Sequence, residues 1–223
     1  MRTSTFLLLL LFCSRMAFSQ WPTPNYNHWV TNAPIIAMVS DGPYLYISGT
    51  FNYIGPPTGT GAKITTTNPV ADLTFCRPNL EVLTSISDGA GGWFIGGDFT
   101  RITVDSVTTI DRNRLAHIFS NGQLDLAWNP DANNVVRSIV MIGSDLYVGG
   151  EFTTIGGQSR SRLAKVSATG TGNVDLVWTP QLSAGGIINT MVTDGVDFFA
   201  GGQFSQVAGV NVSNLAKLAV AGS

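Results

Sequence analysis

Gly149-Gly150-Glu151-Phe152 is the clearest copy of a short motif that occurs four times in this 223-residue sequence. The copies are separated by 48, 53 and 52 residues, and self-similarity at a fixed period of this size indicates a repeat architecture. We expect the glycines, which lack a Cβ, to allow a bulge or a close backbone approach, and the phenylalanine to enter the core. The repeated positions are Gly49 and Phe51; Gly96, Gly97 and Phe99; Gly149, Gly150 and Phe152; and Gly201, Gly202 and Phe204.

Two further landmarks keep the same period. Leu115, Leu163 and Leu215, each followed by alanine, lie 48 and 52 residues apart. Trp128 and Trp178 lie 50 residues apart, and each precedes a proline by two residues. The chain therefore divides into a leader (1–19), a lead-in (20–34) and a repeat region (35–223) of four copies, which we call units 1 to 4: 35–81, 82–135, 136–187 and 188–223.

Each complete unit is predicted to contain four short strands. The opening strand is apolar and β-branched, the second is rich in aromatic residues, and Asp-Gly pairs such as Asp88-Gly89 predict the tight turn between them. Because no segment keeps the apolar spacing of an amphipathic helix, and four strands in about fifty residues is the size of a propeller blade, we predict an all-β propeller of four-stranded antiparallel blades. The predicted strands are 35–40, 82–87, 136–141 and 188–193 (opening), 44–48, 93–96, 146–149 and 198–201 (second), 115–119, 163–166 and 215–220 (third), and 124–128 and 174–178 (fourth).

The closure of such a propeller has two solutions in this sequence. Unit 4 lacks the Trp-x-Pro segment, whereas residues 29–34 of the lead-in begin with Trp29 and resemble a displaced fourth strand. Either the two termini pair to close a four-bladed ring, or the four units are part of a larger propeller that continues beyond Ser223.

The first nineteen residues have the pattern of a secretory signal peptide. Arg2 precedes an unbroken apolar run at 6–12, and the small residues Ala17 and Ser19 follow at the positions expected before a cleavage site. A run of this length is too short to span a bilayer, which needs about 20 apolar residues. We therefore expect a secreted or cell-surface protein that begins at Gln20 and has no membrane span.

Composition excludes one large class of partner. Charged residues make up 12% of the chain, against about 25% in an average globular protein, and the net charge is −2. Nucleic-acid binding needs clustered Lys and Arg side chains that displace counterions, and the sequence contains no such cluster. We therefore predict no nucleic-acid partner. Cys76 is the one cysteine left after signal removal, and we interpret it as a small apolar residue.

Three patterns in the repeats carry a family resemblance. They are GG-x-F-T-x-I-G-G, R-L-A-x-[LV], present at Arg114-Leu115-Ala116 and Arg162-Leu163-Ala164, and L-D-x-x-W-x-P around Trp128; unit 3 preserves them best. Together they resemble the delta-60 repeat family of exported bacterial propeller-like proteins, over residues 35–218. A weaker similarity is to kelch-like repeats of fungal cell-surface polarity proteins. The delta-60 resemblance implies a fold and a location, and it brings no catalytic residue or cofactor.

The histidines do not form a recognisable catalytic or metal-binding pattern. His117 occupies a position that is Lys63, Lys165 and Lys217 in the other units, so we interpret it as an ordinary polar site on the third strand. His28 lies in the lead-in without a Ser, Cys or second His at a typical spacing. We predict no catalytic residue, no metal site and no cofactor on this evidence.

Three aspartates recur with the period of the repeat: Asp72, Asp125 and Asp175, at intervals of 53 and 50 residues. In a closed propeller they would form a ring of carboxylates that could bind cations. The alternative, which we favour, is that each carboxylate accepts backbone N–H bonds in the turn that enters the fourth strand.

Two hypotheses about function remain. The first is a non-catalytic binding module, in which loops on one rim of the propeller present a surface to an unknown protein or carbohydrate. The second is a secreted polysaccharide hydrolase or lyase, which would need two carboxylates within roughly 5 to 10 Å of each other on one face. The sequence favours the first, because no catalytic set of residues is recognisable.

Overall fold

The computed structural model describes residues 75–105 and 108–220 in full, and earlier in the chain it describes only the backbone of six strands. All regular structure in these residues is β, without a helix, so the prediction of an all-β fold is confirmed. The expected signal peptide (1–19), His28 and Phe51 lie outside the described residues. The six early strands are Val30–Thr31, Ile35–Asp41, Tyr44–Gly49, Ile54–Gly55, Lys63–Ile64 and Ala71–Asp72.

Units 2, 3 and 4 each contain an open, antiparallel sheet of three strands, with the second strand in the middle. Unit 1 contains the equivalent opening pair, Ile35–Asp41 against Tyr44–Gly49. The predicted opening, second and third strands are therefore confirmed. Their bounds are Val82–Ser87, Trp93–Gly97 and Leu115–Ile118 in unit 2, Val136–Ile142, Asp145–Gly150 and Leu163–Ser167 in unit 3, and Ile187–Thr193, Asp197–Gln203 and Leu215–Ala219 in unit 4.

The prediction of a regular fourth strand at 124–128 and 174–178 is wrong. Single bridges replace it, Ile118 to Leu124 in unit 2 and Val166 to Val174 in unit 3. The cause is local: the residue after each bridge is an aspartate whose side chain accepts the next backbone N–H groups and turns the chain away from the sheet.

A second, smaller sheet in each unit was not predicted. A short hairpin follows the repeated phenylalanine and pairs with the segment that precedes the opening strand. In the lead-in, Val30–Thr31 pairs in the same way with Ile54–Gly55 of unit 1. The described part of the lead-in therefore belongs to the small sheet of its own unit. The hairpin strands are Arg101–Thr103 with Thr109–Asp111, Thr154–Ile155 with Gln158–Ser159, and Gln206–Val207 with Val210–Asn211, and the preceding segments are Arg77–Pro78, Ala132 and Leu182.

The second glycine of each pair sits at a close approach of two strands. The register shifts after Val82, Val136 and Ile188, each opposite that glycine. A Cβ on Gly150 would lie 2.1 Å from the carbonyl oxygen of Val135, and Gly97 and Gly202 are equally constrained. The phenylalanine that follows is buried in all three units: Phe99, Phe152 and Phe204.

Units 2, 3 and 4 pack face to face in the described part of the chain. One apolar cluster joins Leu115 and Trp128 of unit 2 to Val136 and Phe152 of unit 3, and another joins unit 3 to unit 4 in the same way. The first glycine of the pair makes this packing possible, since a Cβ on Gly96 would lie 2.6 Å from Val136 Cγ1. Each large side chain buried between units contributes about 1.5 to 3 kcal/mol, so the stack is itself the hydrophobic core.

Candidate functional site

His117 lies between two carboxylates on the third strand of unit 2. Its Nδ1 is 3.0 Å from Asp125 Oδ2 and its Nε2 is 3.2 Å from Asp88 Oδ2, while its ring stacks on Phe94 at 4.4 Å. The residue as a whole is 8% exposed. Both carboxylates receive an N–H only when the ring carries two protons, because a neutral imidazole has a single N–H. His117 is therefore a buried residue that links two turns, whereas the sequence analysis interpreted it as an ordinary polar site on the third strand.

Asp88 reaches His117 because Gly92 lacks a side chain. Asp88 Oδ1 accepts the backbone N–H of Ala90 and of Gly92, at 2.7 and 2.8 Å, and a Cβ on Gly92 would lie 2.5 Å from Asp88 Oδ2. Burial alone would raise the pKa of Asp88, but these hydrogen bonds and the one to His117 outweigh it and lower the pKa. The turn that the sequence analysis predicted from Asp88-Gly89 thus also supplies a carboxylate to the third strand.

Lys165 makes the equivalent brace in unit 3. Its Nζ lies 3.0 Å from Asp145 Oδ2 and 3.2 Å from Asp175 Oδ2. The hydrogen bond to Asp145 is the main reason that the pKa of Lys165 is raised. In unit 4, Lys217 Nζ lies 2.9 Å from Asp197 Oδ2. The third strands of units 2 to 4 therefore share one arrangement, a nitrogen-bearing side chain held by carboxylates of neighbouring turns.

Asp125 and Asp175, two of the three recurring aspartates, use both carboxylate oxygens within the chain. Asp125 Oδ1 accepts the backbone N–H of Ala127 and of Trp128, at 2.9 and 3.2 Å, and its Oδ2 faces His117. Asp175 makes the same pattern, and its backbone hydrogen bonds from Trp178 and Val177 lower its pKa. Asp72 lies opposite Lys63 in the backbone pairing, and its side chain is outside the described residues. Within residues 75–105 and 108–220, no group of three or more His, Cys, Asp or Glu side chains could hold a metal ion.

A buried arginine supports each of these turns from beneath. Arg112 Nη2 donates to the carbonyl oxygen of Leu126 at 2.7 Å, and Arg160 Nη2 donates to that of Asp175 at 2.6 Å. Both arginines are 6% exposed. The backbone of each turn is therefore held by a carboxylate on one side and a guanidinium on the other, through charge-assisted hydrogen bonds.

We name residues 125–128 and 175–178 the rim turns. Each sends its tryptophan inward and its apolar residues outward: Leu126 is 65% exposed, Leu176 68% and Val177 81%. Sequence reasoning missed these residues, since it assigned them to a strand in which every second side chain would be buried. The signal was the recurrent aspartate one or two residues before them, whose side chain accepts the backbone N–H groups of the turn.

Cys76 is buried and has no disulfide partner in the described residues. Burial raises the pKa of its thiol to about 11. A thiol that stays protonated at neutral pH is a poor nucleophile, so Cys76 acts as an apolar core residue.

An apolar groove runs along the third strand of unit 4. It encloses about 300 Å³ and is lined mainly by Trp178, Val207, Val212 and Leu218. In unit 3, Val166 on the equivalent strand forms a single bridge with Val174. The groove in unit 4 therefore lies where Val174 pairs with the third strand in unit 3.

Comparison with known proteins yields one match. Residues 145–173, which run from the second strand of unit 3 to the turn after its third strand, match the family model described as "Domain of unknown function (DUF5122) beta-propeller". This match supports a β-propeller repeat family, in agreement with the repeated sheets described above. No curated protein and no solved structure matches the chain. The part of the chain that the structure describes contains no helix long and apolar enough to cross a membrane.

Proposed function

We propose that this chain is an exported, non-catalytic β-propeller repeat protein of the delta-60 type, which binds a protein partner through its rim turns. The observation that carries the proposal is the exposure of Leu126, Leu176 and Val177 on turns that are braced from within. Binding residues are often placed on loops that a rigid scaffold positions, and repeat proteins present such loops side by side.

The chemistry of the exposed residues favours a protein over a carbohydrate. Leucine and valine offer apolar area without the hydrogen-bonding groups that the hydroxyls of a sugar require. Pre-ordered turns also bind with a smaller loss of conformational entropy than flexible loops. An exposed apolar set that recurs with the repeat is therefore suited to an apolar surface on another protein.

The contacts of the carboxylates within the chain support a non-catalytic role. Asp88 and Asp125 both face His117, and Asp125 and Asp175 also accept backbone N–H groups. A general acid or a nucleophile for glycoside hydrolysis must instead direct a carboxyl group toward substrate. The export component rests on the signal-peptide pattern of residues 1–19.

The test compares the purified chain with a double variant, Leu126→Ser with Leu176→Ser. Each is presented with a phage-displayed peptide library and, separately, with a glycan array. We expect peptides that bind the wild-type chain and lose about tenfold or more of their affinity for the double variant. The matched control is Val196→Ser, because Val196 is 72% exposed but lies in the Asp-Gly turn of unit 4, and it should bind as the wild type does.

Two results would contradict the proposal. Binding to glycans that is unaffected by the double variant, with no peptide bound, would indicate a carbohydrate partner at another site. Release of reducing sugars from a panel of polysaccharides would indicate the hydrolase or lyase.

A further inference from the structure

The contacts of His117 connect two turns of unit 2 that are distant in the chain. Asp88 belongs to the turn between the opening and second strands, and Asp125 begins the rim turn after the third strand. Each carboxylate uses Oδ1 to accept backbone N–H groups of its own turn, and Oδ2 to face one ring nitrogen of His117. We call these contacts the brace of unit 2, and the orientation of both carboxylates depends on its imidazole.

The number of protons on the imidazole decides how many of these contacts are hydrogen bonds. The doubly protonated ring donates one N–H to Asp88 and one to Asp125. The neutral ring has a single N–H, so the lone pair of its other nitrogen faces a carboxylate oxygen at 3.0 or 3.2 Å. Loss of one proton therefore replaces a charge-assisted hydrogen bond with a repulsive contact.

Burial makes this replacement costly. The side chains of His117, Asp88 and Asp125 are 10%, 13% and 17% exposed. Water has little access to such a site, and a carboxylate that loses its donor there is not readily hydrated in compensation. The loss of the proton therefore weakens the turn whose carboxylate is left without an N–H.

The two carboxylates are the charged groups that pair with the ring within residues 75–105 and 108–220. Arg112 donates to the backbone carbonyl oxygens of Asp125 and Leu126, so it supports the rim turn through the main chain and not through the imidazole. The response of the brace to pH is therefore set by Asp88, His117 and Asp125. The other ring contacts are aromatic and uncharged: Phe94, Phe119 and Trp128.

Unit 3 holds its brace with a side chain that does not titrate near neutral pH. The hydrogen bond from Lys165 to Asp145, together with the one to Asp175, raises the pKa of the lysine above its ordinary value. Its ammonium group therefore keeps both carboxylates paired at neutral pH, whereas an imidazole exchanges its second proton between about pH 5 and 8. A change of pH can thus open the brace of unit 2 while that of unit 3 stays closed.

We propose that the brace of unit 2 is a pH-sensitive device, which is closed at mildly acidic pH and opens as the pH rises through neutrality, so that the turns at Asp88 and Asp125 loosen. The sign follows from the partners of the proton. The doubly protonated ring has two carboxylate acceptors in the folded chain and only water in the unfolded chain, so protonation stabilises the fold, and this contribution is lost as the pH rises.

The exposed Leu126 lies on the rim turn that Asp125 shapes. An ordered turn loses less conformational entropy on binding, so a peptide that binds this turn should bind more tightly at about pH 5.5 than at about pH 8.5. This consequence rests on the proposed function, whereas the titration of the turns does not.

The experiment follows backbone amide signals by nuclear magnetic resonance between about pH 5 and 9. In the wild type, we expect the amides of Ala127 and Trp128, which donate to Asp125, to shift along one titration curve. The amides of Val177 and Trp178 make the same contacts in unit 3 and should not shift over this range.

The matched variant is His117→Lys, which gives unit 2 the side chain that unit 3 uses. Its Ala127 and Trp128 amides should not titrate near neutral pH. The other histidine of the chain, His28, is unchanged in this variant, so any contribution from it remains in both proteins. The midpoint of urea unfolding should likewise fall more in the wild type than in the variant as the pH rises from about 5.5 to 8.5.

A second variant, Asp88→Asn, tests the proton count itself. The amide oxygen of asparagine can still accept the N–H groups of Ala90 and Gly92, while its NH₂ group can donate to a neutral ring. The neutral imidazole then has a partner at each nitrogen. We expect the titration of the Ala127 and Trp128 amides to move to lower pH by about one unit or more.

Three results would each overturn the proposal: Ala127 and Trp128 amides that do not titrate in the wild type, the same titration and the same fall of the urea midpoint in His117→Lys, or a titration that Asp88→Asn does not move. If the turns titrate as expected but a bound peptide keeps the same affinity at both pH values, the device stands and binding at the rim turn of unit 2 is contradicted.

Discussion

Trp128 of unit 2 donates a hydrogen bond from its indole Nε1 to the carbonyl oxygen of Ser167 in unit 3, at 2.9 Å. Trp178 of unit 3 makes the same contact with Ala219 of unit 4, at 3.4 Å. A tryptophan therefore fastens unit 2 to the third strand of unit 3, and another fastens unit 3 to the third strand of unit 4. The indole combines a large apolar area with one N–H donor, which suits it to a contact between two sheets.

Replacing this tryptophan should separate its two contributions. Trp128→Phe keeps most of the apolar contact but leaves the Ser167 carbonyl without its donor, so we expect a loss of about 1 to 3 kcal/mol in the free energy of unfolding. Trp128→Ala also removes the packing and should cost about 3 to 5 kcal/mol. Urea unfolding at equilibrium measures both. Equal losses for the two variants would show that the ring packing contributes little.

The repeated phenylalanine of unit 3 offers a second stability test. Phe152 is fully buried between units, so Phe152→Ala should destabilise the chain by about 3 to 5 kcal/mol. Phe119 is 42% exposed and serves as the matched control, since Phe119→Ala should change stability far less. Thermal melts of the two variants check this, and an unshifted melt for Phe152→Ala would contradict its core role.

The brace at His117 predicts which substitutions are tolerated. Lys165 already performs the same function in unit 3, so His117→Lys should retain most of the stability. His117→Leu leaves the carboxylates of Asp88 and Asp125 without their shared partner in a site where both are largely buried, and we expect a loss of about 3 kcal/mol. Urea unfolding of the two variants distinguishes them. Equal free energies of unfolding for the leucine and lysine variants would show that the contacts of His117 with Asp88 and Asp125 do not stabilise the fold.

Acid should weaken the fold through the same aspartates. The pKa values of Asp88, Asp125 and Asp175 are lowered from their ordinary value of 3.8. A carboxyl group whose pKa is lower in the folded than in the unfolded chain stabilises the fold above the unfolded value of about 3.9, and this contribution is lost as the pH falls through the folded pKa. We expect the free energy of unfolding to decline below about pH 4 as these aspartates become protonated. Asp175→Asn should flatten that decline, and an unchanged pH profile in this variant would count against the assignment.

The elements that sequence reasoning predicted depend on neighbouring residues along the chain. The opening strands are rich in β-branched residues and end at a turn, so the strands Val136–Ile142 and Asp145–Gly150 could be predicted from the local sequence. The repeat period then predicted the equivalent strands in the other units. The prediction of a fourth strand was wrong because Asp125 makes two contacts that a strand pattern does not indicate. It accepts the backbone N–H of Ala127 in a turn, and it contacts His117. Asp88 lies 29 residues from His117, and only the folded arrangement brings them together.

The candidate site was harder to predict than the fold for a related reason. Leu126 and Leu176 look like strand residues, but each follows an aspartate that shapes a turn, and a buried arginine 14 or 15 residues away holds that turn. The exposed Leu215 has the same sequence context as the buried Leu163. Leu163 packs against the opening strand of unit 4, and such a contact between units cannot be predicted from one copy of the repeat at a time.

The central claim, that units 3 and 4 each pack their opening strand on the first glycine of the unit before, is tested most directly by two glycine substitutions. Both are measured by urea unfolding of the purified chain at equilibrium. Gly149→Ala places a methyl group 2.5 Å from Ile188 Cγ2, and we expect a loss of about 1 to 3 kcal/mol, whereas Gly201→Ala meets only Thr190 of its own unit, at 3.2 Å, and should cost clearly less. Equal effects of the two substitutions, or a larger effect at Gly201, would contradict the account.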